Sequence, residues 1–151
     1  RLFFVAHPRG FLHLGYKPSR NATKHTNNNS KIIYYINMQH YKTIKELIKD
    51  YKQLPYPGII YIEGEKKDNY QEAAFWVLSS NEDKEQNSVE TKYGEVPESL
   101  AQFEVAYFSG VGIFQDIIDN KFDHNELLTT EDTDVLLGAI EHYFEYDDFQ
   151  D

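Results

Sequence analysis

The chain of 151 residues has no cysteine. That excludes disulfides and thiolate metal sites, and it fits a cytoplasmic setting. No apolar run approaches the roughly 20 residues of a membrane helix. "LFFVA" near the start is too short and poorly placed for a signal-peptide core. No repeat recurs at a fixed period. Nucleophile signatures are missing as well: there is no Gly-x-Ser-x-Gly, no His-Glu-x-x-His and no candidate cysteine. With 25 acidic residues, picking a catalytic carboxylate pair is arbitrary. We therefore expect no enzymatic activity and no cofactor.

Acidic residues are absent from residues 1–37, and arginine is absent from the rest. The first piece has three Arg and three Lys against no acid, a net of +6. Residues 38–151 have nine Lys against 25 acids, a net of −16. Met38, the one methionine, stands at the break. Three readings of the first piece stand side by side. It is an Arg-rich transit segment, a basic arm for nucleic acid or a membrane surface, or upstream sequence read through in frame. The Asn, Lys, Ile and Tyr of "NATKHTNNNSKIIYYIN" have AT-rich codons, which favours the last. We expect residues 1–37 to be a disordered or non-native upstream extension and residues 38–151 to be one acidic domain. At 114 residues that domain is long enough for a single core.

Within it, Ile44, Leu47, Ile48, Tyr51 and Leu54 form one helical stripe, with Thr43 and Glu46 as a capping box. "LPYPG" (54–58) stops the helix. "IIYIEG" (59–64) and "AAFWVLSS" (73–80) predict a strand hairpin across a turn at 65–70. The polar stretch 81–95 reads as an exposed loop. Pro97 suits the first position of a short helix. "EVAYFS" (104–109) is a third strand or the approach to a helix. A helix is expected over 113–122, with Ile113, Phe114, Ile117, Ile118 and Phe122 apolar. A longer one capped by Thr130 carries Val135, Leu136, Ala139, Ile140, Tyr143 and Phe144. Glu131, Asp132 and Asp134 suit its positive end. The order predicts a small α+β domain: an N-terminal helix, a β-hairpin or small antiparallel sheet, and two to three C-terminal helices.

Several constellations invite chemistry. Ser109-Gly110-Val111-Gly112 has the setting of a phosphate loop but lacks the third glycine and the Lys-Ser/Thr, so a tight strand-to-helix turn is the better reading. Asp116, Asp119 and Asp123 share a helix face, with His124 and Glu126 following. A hard cation takes oxygen ligands, but no EF-hand loop is present, and a solvated face is favoured. His142 and Glu145 reverse the Glu-x-x-His order of di-iron bundles and have no second copy. No metal is expected. Trp76, between apolar neighbours, suits a core position better than an interface anchor.

The acid distribution says more. From residue 68 on, 21 acids face three Lys, a net of −18. "EHYFEYDDFQD" (141–151) interleaves acids with aromatics. Acids steer basic partners, and aromatics anchor interfaces. The plainer role is solubility alone.

"LP…GIIYIEG", Trp76, "EVPESL", "FQDIIDN" and "LLGAIEHYFEYDDF" together resemble a family of short acidic bacterial proteins of unknown function, loosely associated with toxin–immunity neighbourhoods. The resemblance runs from about Thr43 to Phe149, and Gln115 to Asn120 is its most specific part. The chain departs from it in having Asp148 where Ala is usual and in lacking a Cys soon after the Trp. The family brings no catalytic residues. The expectation is a cytoplasmic protein-binding domain of immunity or antitoxin type. Asp116, Asp119, Glu141, Glu145, Asp147 and Asp148, with Tyr146 as anchor, would cover a basic protein partner such as a toxin. Nucleic acid and membranes are not expected partners. The alternative is a housekeeping or cation-binding protein using the Asp116, Asp119 and Asp123 face.

Overall fold

Two runs of β-branched and aromatic residues form the centre of the sheet. In the computed structural model these are β4 (Gly58–Glu63) and β5 (Phe75–Ser79), paired antiparallel as expected. The structure describes residues 38–64 and 70–150, together with the backbone of two short antiparallel strands, β1 (Val5–Ala6) and β2 (Leu12–His13). The rest of residues 1–37, the greater part of the expected upstream extension, lies outside the described residues. So does most of the turn expected at 65–70.

Strand β3 (Gln39–Tyr41) adds to β5, and β8 (Val105–Gly110) adds to β4, giving an antiparallel sheet ordered β3-β5-β4-β8. Both faces of the sheet are covered, which is why β4 and β5 read as nearly continuous apolar runs. Tyr41, Ile60, Ile62, Phe75, Val77 and Phe108 face α1 (Ile44–Lys49), α3 (Val111–His124) and α4 (Thr133–Tyr146). On the opposite face, Tyr61, Leu78 and Val105 meet Val96 and Leu100, with Met38, Trp76 and Phe103 packed around them. The domain is α+β: α3 and α4 follow its last strand, while α1 and α2 lie between strands.

All five residues of the first expected stripe are buried. The α-helix itself is shorter, ending at Lys49 and continuing as a 3-10 turn over Tyr51–Gln53. Thr43 Oγ1 accepts from the Glu46 amide at 3.3 Å. The Glu46 carboxylate accepts from the Lys42 amide at 2.8 Å, one residue before the cap. Gly58 opens β4 where a Cβ would lie 2.3 Å from the Pro55 carbonyl oxygen and 2.8 Å from that of Leu78. Only glycine fits there.

The stretch 81–95 is not a loop. Ser79 caps α2 (Ser80–Lys84) in a full capping box with Glu82. β6 (Ser88–Thr91) and β7 (Gly94–Pro97) then form a hairpin around Val89 paired with Val96. Gly94 has φ +107°, and Thr91 Oγ1 donates to its carbonyl oxygen at 2.8 Å. Most of this hairpin is solvated, so the apolar alternation that betrays a strand is nearly absent. Pro97 ends β7 and takes the cap position of a 3-10 helix (Glu98–Phe103), which therefore begins one position later than expected.

Thr130 does not cap α4. The helix begins at Thr133 after Asp132, whose side chain turns back to accept from the Thr129 amide at 2.7 Å. Val135 and Ile113, expected on apolar stripes, are 47% and 42% exposed. The buried arc of α4 is instead completed by Leu137.

Candidate protein-binding surface

Helices α3 and α4 pack together across the loop at 125–132. Asp116 and Asp123 are exposed on α3. Asp119 is half-buried: its Oδ1 accepts from the Tyr51 hydroxyl at 2.7 Å and lies 3.9 Å from Lys52 Nζ. It ties the 3-10 turn after α1 to α3. His124 Nδ1 donates to the Asn120 carbonyl oxygen at 2.8 Å. Among the described residues no group of three or more His, Asp or Glu side chains converges on a point that could hold a metal ion.

The other expected residues gather at the end of α4. Glu141, Glu145, Tyr146, Asp147 and Asp148 are all exposed. A hydrogen bond to Glu145 pushes the Tyr146 hydroxyl above its ordinary pKa. Asp147 takes the left-handed conformation (φ 55°) and donates its amide to the Tyr143 carbonyl at 2.8 Å, closing the helix. Phe149 folds back over Tyr143, with ring centroids 5.2 Å apart. The structure thus places five expected residues on one helix end and the other two, Asp116 and Asp119, on the neighbouring helix.

Three acids serve tyrosines inside the fold. Asp50 accepts from Tyr41 at 3.0 Å, Asp83 from Tyr61 at 2.7 Å, and Asp119 from Tyr51. Sequence reasoning could not assign these roles, since the partners of the last pair lie 68 positions apart. An open cleft of about 390 Å³ lies between the end of α1 and the α3–α4 loop, against Phe122 and Leu128. Of the two lysines lining it, Lys49 is 2.9 Å from Glu131 and Lys52 faces Asp119, so each cation already has a carboxylate.

A second cluster escaped the sequence reading. The Trp76 ring is stacked between His40 and Phe103, each at 4.2 Å, and Nε1 donates to Glu63 at 2.8 Å. It is half-buried on the second face of the sheet. His40 Nε2 is sealed from solvent, without a hydrogen bond, and lies 3.9 Å from Glu63 Oε1. Desolvation, the largest influence, lowers the His40 pKa; Glu63 and Glu46 raise it, Lys42 lowers it, and the net shift is downward. This stabilising term is complete above pH 6.5, the unfolded value, and fades as pH falls through the lower folded value. Trp76 is the one tryptophan, so its emission reports the titration. A transition centred below pH 6.5, removed by His40→Phe, is expected. A midpoint at or above 6.5 contradicts it.

No family model, no curated protein and no solved structure matches the chain. Among the described residues no helix is long and apolar enough to cross a membrane.

Proposed function

We propose that the chain is a small acidic protein-binding domain, of immunity or antitoxin type, that acts in the cytoplasm by covering a basic partner. The charge distribution carries this reading: 21 acids against three Lys from residue 68 on. Asp116, Glu141, Glu145, Asp147 and Asp148 turn that charge to solvent, with Tyr146 beside them. Such a field speeds encounter with a basic surface and is screened by salt. Blocking a toxin's basic surface needs shape and charge, and no bond chemistry. The resemblance to acidic proteins of toxin neighbourhoods points the same way.

The test uses the full chain as bait in extract of its native host at low salt. A basic protein should be retained and released as salt rises from about 0.05 to 0.5 M. The chain should also neutralise a toxin encoded beside it. Replacing Asp116, Asp147 and Asp148 by Asn and Glu141 and Glu145 by Gln should abolish both effects while leaving the fold intact. Asn tolerates the left-handed backbone at position 147. Recovery of no basic protein, together with an unaffected neighbouring toxin, defeats the proposal.

A further inference from the structure

The exposed half of α4 carries two adjacent rows. At 3.6 residues per turn, Asp134, Glu141 and Glu145 line up as an acidic row. Val135, Gly138, His142 and Tyr146, spaced three, four and four apart, line up beside it. Val135 and Tyr146 are 47% and 61% exposed. The His142 and Tyr146 rings lie 4.7 Å apart.

Gly138 is the informative residue. Glycine is among the least favourable residues for a helix interior. The other described glycines have reasons inside the fold. Gly58 sits against the Pro55 and Leu78 backbone, and a Cβ at Gly112 would lie 2.9 Å from the Tyr56 ring. Gly64 and Gly94 have positive φ. Gly110 occupies the cap position of α3, where glycine is well accepted. At Gly138 a Cβ would meet nothing within 4 Å. Neither backbone nor packing among the described residues calls for glycine there. A missing side chain between Val135 and His142, in a row exposed at Val135 and Tyr146 and half-buried at Gly138 and His142, instead leaves a notch that lets another chain approach the helix closely.

We infer that this row is the seat of a basic amphipathic helix from a partner protein. One of its apolar side chains enters the notch at Gly138, between Val135 and His142. Its Lys or Arg side chains lie over Asp134, Glu141 and Glu145. Charge selects this occupant: a second copy of the chain would bring the same three acids against one another, which is repulsive. A basic helix gains from both rows at once. The 14 residues of α4 span about 21 Å, room for roughly four turns of a helix laid alongside. This inference rests on the reading of the chain as a binder of basic proteins, and it adds the place and the mode.

The experiment titrates the isotope-labelled full chain at low salt with two synthetic peptides of Leu, Ala and Lys. One places Leu at helical spacing and Lys opposite; the other scrambles the same residues. The amphipathic peptide should shift the amide signals of Val135, Gly138, His142 and Tyr146 most and bind at least tenfold tighter than the scrambled one. Gly138→Leu should weaken it at least tenfold with no fall in melting temperature, because the position is open and leucine favours helix. Gly138→Ala should weaken it less. Equal binding of both peptides, with shifts spread over Asp116, Asp148 and the other acids and no effect of Gly138→Leu, overturns the notch and leaves the acidic reading standing. Binding of neither peptide overturns the basic-helix mode, while retention of a basic protein from host extract keeps the acidic reading. Self-association of the chain that Gly138→Leu removes overturns the choice of occupant.

Discussion

Phe108→Ala is expected to destabilise the domain by about 3–5 kcal/mol, the range for removing a buried aromatic ring. The ring is fully buried at the meeting point of the sheet and α4. It makes three edge-to-face contacts: with Phe144 at 5.0 Å, Phe75 at 5.2 Å and Tyr70 at 5.6 Å. Each such pair adds roughly 0.5–1.5 kcal/mol beyond area burial. The backbone fixes the ring as firmly as its neighbours do. Tyr107 pairs with Tyr61 and Ser109 with Ile60, so β8 carries one more residue than β4 at this step, and Phe108 is that residue. A β-bulge of this kind re-aims a side chain, and here it turns the ring toward α4. The loss is a large share of the roughly 5–15 kcal/mol available to a domain of this size. A fall in melting temperature of roughly 15–25 °C follows. Leu127→Ala is the control: that side chain is 89% exposed, and its removal should leave the melting temperature unchanged. Thermal unfolding followed by circular dichroism measures both. A Phe108→Ala protein that melts within a few degrees of the parent would mean that the bulge does not hold the core together.

The elements that proved legible in the sequence are those whose burial is one-sided and long. Ile44, Leu47, Ile48, Tyr51 and Leu54 announced α1 because their spacing leaves one apolar stripe. "IIYIEG" announced β4 through β-branched density. The ends were harder, because they depend on single hydrogen bonds. Asp132 accepts from Thr129 and so sets the start of α4 three residues after Thr130. Strand β3 was missed: three residues carry too little pattern, and its one deeply buried side chain, Tyr41, looks like any loop aromatic. The β6–β7 hairpin was missed because Ser88, Glu90 and Glu95 face water and leave only Val89 and Val96 to signal it. The candidate surface was partly legible. The spacing of Glu141 and Glu145 places them on one face of a helix, but nothing local marks Asp119 as the acceptor for Tyr51. Gly138 lies within "LLGAIEHYFEYDDF", where the sequence alone gives it no meaning. A mid-helix glycine becomes informative only once the space around it is known to be open.

Alkaline unfolding should be unusually steep, because three buried tyrosines hold their protons against the solvent. Burial raises the pKa of Tyr41, Tyr51 and Tyr61 well above the ordinary 10, and the hydrogen bonds to Asp50, Asp119 and Asp83 add to it. A phenol donating to a carboxylate cannot ionise without setting two negative charges side by side. In the unfolded chain the same tyrosines titrate near 10. Below that pH both states hold the protons and the stabilisation is complete. Above it the unfolded state binds fewer protons, so stability falls as pH rises toward the folded values. Each tyrosine contributes a slope of about 1.4 kcal/mol per pH unit, and three together give about 4. A domain with about 5–15 kcal/mol in reserve therefore unfolds within roughly one to four units above pH 10. Phenolate absorbance and circular dichroism should change together there, as one transition. Tyr61→Phe keeps the ring and removes one proton, so the slope above pH 10 should drop by about a third. The variant also leaves Asp83 without its donor, at a cost of about 1 kcal/mol near neutral pH. If all twelve tyrosines ionise gradually while the dichroism signal persists, these three hydroxyls are not sealed by the fold, and the Tyr–Asp pairs do not join its elements as described.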